Sequence, residues 1–315
     1  MRKIGNSGLQ VSVVGLGCNN FGARTDFAGT QSVVRKALDL GITLFDTADV
    51  YGNRGDSEEF LGRILGDRRK DIVLATKFAM PMDKAGTLKG GSRRYIMLAI
   101  ESSLRRLKTD WIDLYQFHCP DPATPIEETL RALDDLIRQG KVRYVGCSKF
   151  HGWEIVEAHW TATHGRLNPF ISCQSEYSLL ERDPERELIP AMAACGVGLL
   201  PYYPLASGLL TGKYRQDAPL PAGTRFTKMP DQASKYLTAS NWAVISELTK
   251  FCSDRGHTLL DLAFSWLASN PVVSSVIAGA TRPEQIDQNV RAAEWVLSPD
   301  DLGEIDRITN TVSAA

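Results

Sequence analysis

The chain has 315 residues, 43% of them apolar, and a formal net charge of -1. This allows one large domain with a sizeable core and argues against a nucleic-acid or anionic-membrane partner. There is no run of about 18 apolar residues, no apolar stretch follows the basic start Met1–Asn6, and six cysteines (Cys18, Cys119, Cys147, Cys173, Cys195, Cys252) lie scattered without a CxxC pair, so a cytoplasmic protein with reduced thiols is expected.

Short apolar runs alternate with longer stretches of helical period. The first run, 11–16 (VSVVGL), follows a turn between Gly5 and Gly8 and is expected to begin with a small hairpin. Further strands are expected at 42–46 (ITLFD), 72–77 (IVLATK), 111–117 (WIDLYQF), 142–147 (VRYVGC), 169–174 (PFISCQ), 197–202 (VGLLPY) and 272–277 (VVSSVI), which gives eight runs. Between them, Ser57 with Glu58 and Glu59 opens a helix over 57–65, and Ile96, Ile100, Leu104 and Leu107 share a face over 92–107. Over 125–139, Ile126, Leu130, Leu133, Leu136 and Ile137 form one apolar face between Pro125 and Gly140. Later helices are expected at 184–194, 240–254, 258–268 and 283–292. Residues 211–238, rich in Gly, Pro and charge, read as a long functional loop, and Asn310–Ala315 as a frayed end.

Repeated strand–helix units with continuously apolar strands imply a parallel sheet covered on both faces. Eight units fit an α/β fold of the (β/α)8 TIM-barrel type, a single domain over 1–315. The rival, a doubly wound open sheet, is weakened because residues 15–22 (GLGCNNFG) lack the third glycine of a GxGxxG turn and a helix behind it. In a barrel the chemistry lies at the carboxyl ends of the strands. Those ends carry Asp46, Lys77, His118, Ser148, Gln174 and Tyr202, with Gly279 just after the eighth. Clustered titratable groups in a cleft are what catalysis requires. Tyr51 follows Asp46 in DTADVYG. A phenol is a weak acid, and an ammonium at Lys77 is expected to lower its pKa. Asp46 would hold Lys77 charged, and His118 would bind the substrate oxygen, leaving Tyr51 to protonate it. No metal site is expected, since HExxH and other His/Cys clusters are absent, as are GxSxG and GxxxxGK[ST]. A lyase forming a Schiff base on Lys77 is an alternative on this fold.

In sequence order, GLGCNNFG (15–22), DTADVYGNRGDSEEFLG (46–62), TKF (76–78), LRRLKTDWIDLYQFH (104–118), GKVRYVGCS (140–148), Gln174 with Tyr177, PLASGLLTGKY (204–214) and IAGATRPEQIDQN (277–289) resemble the aldo-keto reductases, from about Gly5 to Arg291. The overall pattern is most similar to the potassium-channel β-subunit-like branch. The resemblance implies a catalytic tetrad of Asp46, Tyr51, Lys77 and His118 and hydride transfer between a nicotinamide and a carbonyl or alcohol. It places the nicotinamide against Ser148, Gln174 and Tyr202. It assigns the pyrophosphate to Leu205, Ser207, Leu209 and Lys213, with Arg225 covering the cofactor. Gly279, Thr281 and Arg282 would take the adenosine end, where a helix N-terminus and a fixed guanidinium favour a 2′-phosphate and hence NADP (NADPH). Gln285 and Asn289 would reach the adenine, and Cys18, Asn19, Tyr203, Pro204 and Gln288 complete the expected cofactor set. Where many members have Ser-Asn-Phe, this chain has Ser148-Lys149-Phe150; that asparagine usually helps bind the carboxamide, while some members of the channel branch carry a basic residue.

The leading expectation is therefore an NADP-dependent oxidoreductase acting on a small aldehyde, ketone, sugar or alcohol. A cofactor-sensing regulatory subunit with weak turnover is the second reading. Assembly into a homo-oligomer is compatible with either reading.

Overall fold

In the computed structural model, which describes residues 1–310, the chain opens with a hairpin of β1 (Arg2–Lys3) and β2 (Gln10–Val11). Gly5 turns it at φ +52°, and a side chain there would meet Gly196 O at 2.4 Å. Eight parallel strands follow: β3 (Val14–Gly17), β4 (Leu44–Asp46), β5 (Val73–Phe78), β6 (Ile112–Phe117), β7 (Val142–Ser148), β8 (Ser172–Glu176), β9 (Gly198–Tyr202) and β10 (Val276–Gly279). They pair in sequence order, with β10 beside β3. The ring closes where Leu199 N–H donates to Val272 O at 2.8 Å and Ser274 N–H to Leu199 O at 2.9 Å. The fold is the expected (β/α)8 barrel.

Around it lie α1 (Phe27–Asp39), α2 (Tyr51–Leu65), α3 (Arg93–Leu107), α4 (Ile126–Arg138), α5 (Gly152–Gly165), α6 (Leu188–Cys195), α7 (Arg225–Lys228), α8 (Pro230–Tyr236), α9 (Ala239–Ser253), α10 (Leu259–Ser269), α11 (Pro283–Ala292) and α12 (Pro299–Asn310). The apolar face read over 125–139 is buried in α4, where Leu130, Leu133 and Leu136 have no exposure. Each such burial contributes roughly 1.5–3 kcal/mol. Five helices were not expected: α1, α5, α7, α8 and α12. In α1 the inward positions are few: Thr30, Val33, Val34 and Ala37. In α5 the solvent face carries Trp153 and Trp160, 59% and 60% exposed, which blurs the apolar stripe. α12 ends at Asn310, so one residue of the expected frayed end closes a helix and 311–315 lie outside the described residues. The stretch 211–238 is not one irregular loop, because α7 and α8 interrupt it. The last expected strand starts late, since Val272–Ser274 are spent on closing the ring to β9.

Strand pleating sorts the side chains. Alternate residues face the barrel interior, and Leu44, Val73, Ala75, Leu114, Leu200 and Ile277 pack there with Ile4 and Val11 of the hairpin. The hairpin thus plugs the amino-terminal end. Two residues further along the same strands stand Asp46, Lys77, Gln116, Tyr202 and Gly279. The apolar floor and the polar upper layer are consecutive turns of one two-residue repeat. No described helix is long and apolar enough to cross a membrane.

One glycine fixes the fit of the outer layer. A Cβ on Gly62 of α2 would lie 2.3 Å from Arg106 O and 2.6 Å from Leu107 C of α3. Gly62→Ala is expected to force the helices apart and destabilise the protein by about 1–3 kcal/mol, as overpacking does. Urea denaturation checks this; an unchanged midpoint would contradict the close packing.

Candidate active site

Four strands converge on one carboxylate. Lys77 Nζ donates to Asp46 Oδ2 at 2.6 Å and to Thr47 O at 2.9 Å. Gln174 Nε2 donates to Asp46 Oδ1 at 2.6 Å, and Gln116 Nε2 to the same oxygen at 3.0 Å. Gln174 also donates to Gln116 Oε1 at 2.9 Å. The ion pair is buried, with side-chain exposures of 1% for Lys77 and 4% for Asp46. Burial by itself pulls the proton affinity of Lys77 down, but Asp46 and then Tyr51 outweigh it and the net direction is up. Lys77 is therefore held as an ammonium, the opposite of what a Schiff-base nucleophile needs.

Tyr51 stands at the first turn of α2, just before a break. Gly52, Asn53, Arg54 and Gly55 have positive φ values, and regular helix resumes beyond them. The break frees the phenol to turn inward, where its oxygen accepts from Lys77 Nζ at 3.4 Å. Its ring meets that of His118 edge-on at 5.8 Å. Here the expected shift is corrected. Burial raises the Tyr51 pKa by more than Lys77 lowers it, so the phenol stays protonated. His118 is also governed by burial. With help from the charges of Lys77 and Lys149, its pKa is pushed down to about 2, so the ring is neutral. Its buried Nδ1 has no hydrogen-bond partner among the described residues.

Asp46, Tyr51, His118 and Gln174 open onto a cavity of about 860 Å³ that runs to the start of α11, with Lys77 buried behind them. Of the residues singled out from the sequence, Cys18, Asn19, Ser148, Gln174, Tyr202, Tyr203, Pro204, Leu205, Ser207, Lys213, Arg225, Gly279, Thr281, Arg282 and Gln285 line it together with Asp46, Tyr51 and His118. Lys77, Leu209, Gln288 and Asn289 do not. Leu209 is in the core. Asn289 is buried one helical turn behind Gln285, and Gln288 faces solvent. Gln285 Oε1 accepts from Thr281 N–H at 2.8 Å and Arg282 N–H at 3.2 Å, which caps α11 and fixes Arg282 at its first turn.

The far end of the cavity suits a ligand with several phosphates. Burial and the neighbouring Arg24, Arg225 and Arg282 lower the pKa of Lys213, so four cations face one space. Tyr203, Ala206, Ser207 and Gly208 all have positive φ, the kind of backbone that gathers N–H groups into an anion-binding concavity. Ser207 donates to Gln232 Oε1 at 2.9 Å, tying this bend to α8. Gly279 opens onto the cavity, where a Cβ would come within 2.9 Å of Asn20 Nδ2. Among the described residues no cluster of His, Cys, Asp and Glu is arranged to hold a metal ion.

Several members of the site were not singled out from the sequence. Gln116 precedes His118 by two residues and so faces the same interior; the strand repeat carried that signal. Glu176, held by Lys235 at 3.0 Å and by the Tyr236 hydroxyl, lines the cavity from the end of β8. Gln232 comes from a short helix, α8, whose fold the sequence pattern did not reveal.

Residues 13–310 match the aldo/keto reductase family. The chain is 37% identical over 309 residues to an uncharacterized oxidoreductase of Bacillus subtilis, covering 95% of this chain and 92% of that protein. It is 37% identical over 324 residues to a putative voltage-gated potassium channel subunit beta of Schizosaccharomyces pombe, covering 98% and 93%. It is 33% identical over 318 residues to L-glyceraldehyde 3-phosphate reductase of Escherichia coli K12, covering 97% and 91%.

The His118 ring is expected to stay neutral at pH 5, where a free imidazole with its pKa near 6.5 is mostly charged. The stability carried by this neutral state is complete above about pH 6.5 and is lost as pH falls toward about 2, because the unfolded chain binds the proton first. Nitrogen-15 NMR of the ring between pH 4 and 8 reads this directly. A titration midpoint near 6.5 would overturn the assignment.

Proposed function

The chain belongs to the aldo/keto reductase family, and we propose that it is an NADP-dependent carbonyl reductase in which Tyr51 is the general acid. The observation that carries this reading is the buried ammonium of Lys77, bridging Asp46 at 2.6 Å and Tyr51 at 3.4 Å behind the cavity wall that both of them line with His118. Bound NADPH would supply a hydride to the carbonyl carbon of a small aldehyde, ketone or sugar.

The residues divide the remaining work. Neutral His118 can offer one N–H to the substrate oxygen and so place it against the Tyr51 hydroxyl. Tyr51 keeps its proton at neutral pH because burial disfavours the phenolate. An alkoxide is a far stronger base than a phenolate, so the proton moves as negative charge builds on the substrate oxygen. Lys77 then stabilises the phenolate left behind, and Asp46 keeps Lys77 charged throughout. In the reverse direction the phenolate takes the proton of an alcohol. Ser148 and Gln174 would hold the nicotinamide amide, with Tyr202 packed on its ring. Lys213, Arg225 and Arg24 would meet the diphosphate, and Arg282 the 2′-phosphate that marks NADP.

Relatives named as channel β subunits support a second reading, a cofactor-sensing subunit with weak turnover. Fluorescence titration with NADPH and NADH, followed by NADPH oxidation with a panel of aldehydes and ketones, separates the two. Turnover supports the reductase; tight binding with no turnover on any panel member supports the sensor. Failure of folded protein to bind either nucleotide would end both.

Tyr51→Phe is expected to cut kcat by about 100- to 10,000-fold, the usual weight of a positioned acid, while NADPH affinity stays within about two-fold. Arg282→Ala is expected to weaken NADPH binding by about ten-fold or more, the worth of a charge-assisted contact, with NADH much less affected. Equal losses for the two nucleotides would remove the 2′-phosphate assignment.

A further inference from the structure

Five cationic side chains line the cavity: Arg24, Lys149, Lys213, Arg225 and Arg282. Arg24, Arg225 and Arg282 gather around Lys213 at the end suited to phosphates. Lys149 stands apart. It directly follows Ser148 at the end of β7, and its charge falls on His118 and on Cys119.

The backbone of Lys149 is fixed. Its N–H donates to Gln174 O at 2.9 Å, and the next residue, Phe150, is buried in the core. Its φ of +61° lies in the left-handed region, which Gly or Asn enters at lower cost than lysine. The side chain, by contrast, is exposed and has no ion-pair partner among the described residues. The two acids that line the same cavity are already engaged, Asp46 by Lys77 and Glu176 by Lys235. The catalytic end of the cavity therefore presents a positive charge that no ion pair among the described residues neutralises, close enough to His118 to act on its ring.

We infer that Lys149 selects carbonyl substrates bearing an anionic group, a carboxylate or a phosphate, a few bonds from the carbonyl carbon. The inference rests on the reductase reading above. The anion would pair with Lys149 while His118 and Tyr51 hold the oxygen. The pairing adds affinity at the mouth and takes no part in the chemical step. Lys149 is thus a specificity-determining residue.

The test compares kcat/KM within two pairs of aldehydes matched in carbon skeleton: 4-oxobutanoate with butanal, and glyceraldehyde 3-phosphate with glyceraldehyde. The wild-type protein is expected to prefer the charged member of at least one pair, and the pair that shows it tells carboxylate from phosphate. In Lys149→Gln that preference is expected to fall by about ten-fold or more, through KM, and Lys149→Arg is expected to keep it. A wild-type ratio near one in both pairs, or a ratio unchanged in Lys149→Gln, overturns the inference. So does a parallel loss on charged and neutral aldehydes with equally weakened NADPH binding, which would make Lys149 a cofactor contact. Binding judges the residue apart from turnover. With NADPH bound to Tyr51→Phe, the charged aldehyde is expected to quench cofactor fluorescence at a lower concentration than with Tyr51→Phe/Lys149→Gln. A wild-type protein that binds NADPH but reduces none of the four aldehydes, while this binding difference persists, would fault the reductase reading and leave Lys149 as an anion contact. Equal quenching in the two backgrounds would overturn the inference itself.

Discussion

The site depends on keeping one pair of charges, Asp46 and Lys77, inside the barrel. Taking two ions out of water costs several kcal/mol each, and the cost is recovered only where the geometry is close and every remaining polar atom is used. Both conditions are met. Lys77 is spent on Asp46, Thr47 and Tyr51, and the second carboxylate oxygen is filled by Gln116 and Gln174. The hub thus draws together β4, β5, β6 and β8. Removing either partner would leave the other buried and uncompensated, an effect of about 3–5 kcal/mol in comparable cases. Stability and the proposed chemistry rest on the same contact.

Much of this was legible from the sequence because a strand repeats every two residues and a barrel has a defined catalytic end. Those two facts placed Asp46, Lys77, His118, Ser148, Gln174 and Tyr202 on one rim. Gln116 obeys the same rule and was missed because only the last polar residue of each strand was read. The direction of the Tyr51 shift was misread for a different reason. Spacing brings Lys77 near the phenol, but only the packed fold shows how thoroughly both are buried, and burial dominates. Helix α5 escaped because Trp153 and Trp160 sit on its solvent side, and residues 225–236 escaped because their helices are too short to show a period.

The upper rim is less regular than the strands beneath it. Tyr203, Ala206 and Ser207 adopt left-handed backbone that non-glycine residues avoid, at a cost on the order of 1 kcal/mol each. Hydrogen bonds from Ala206 N–H to Tyr203 O and from Gly208 N–H to Leu205 O hold the bend, and Ser207 anchors it to Gln232. The strain sits where the four cations converge, whereas the ion-pair hub lies in regular strand. The buried ion pair is carried by regular strands, whereas Tyr51 and the bend beneath the cations both sit beside left-handed backbone.

The amino-terminal hairpin has a practical corollary. Ile4 and Val11 cap the barrel end opposite the cavity mouth, and the chain ahead of them leaves the molecule on that side. A tether, affinity handle or fused protein attached there would project away from the opening. On a sensor surface or a bead, molecules fixed through this end would all present their mouths to the bulk solution.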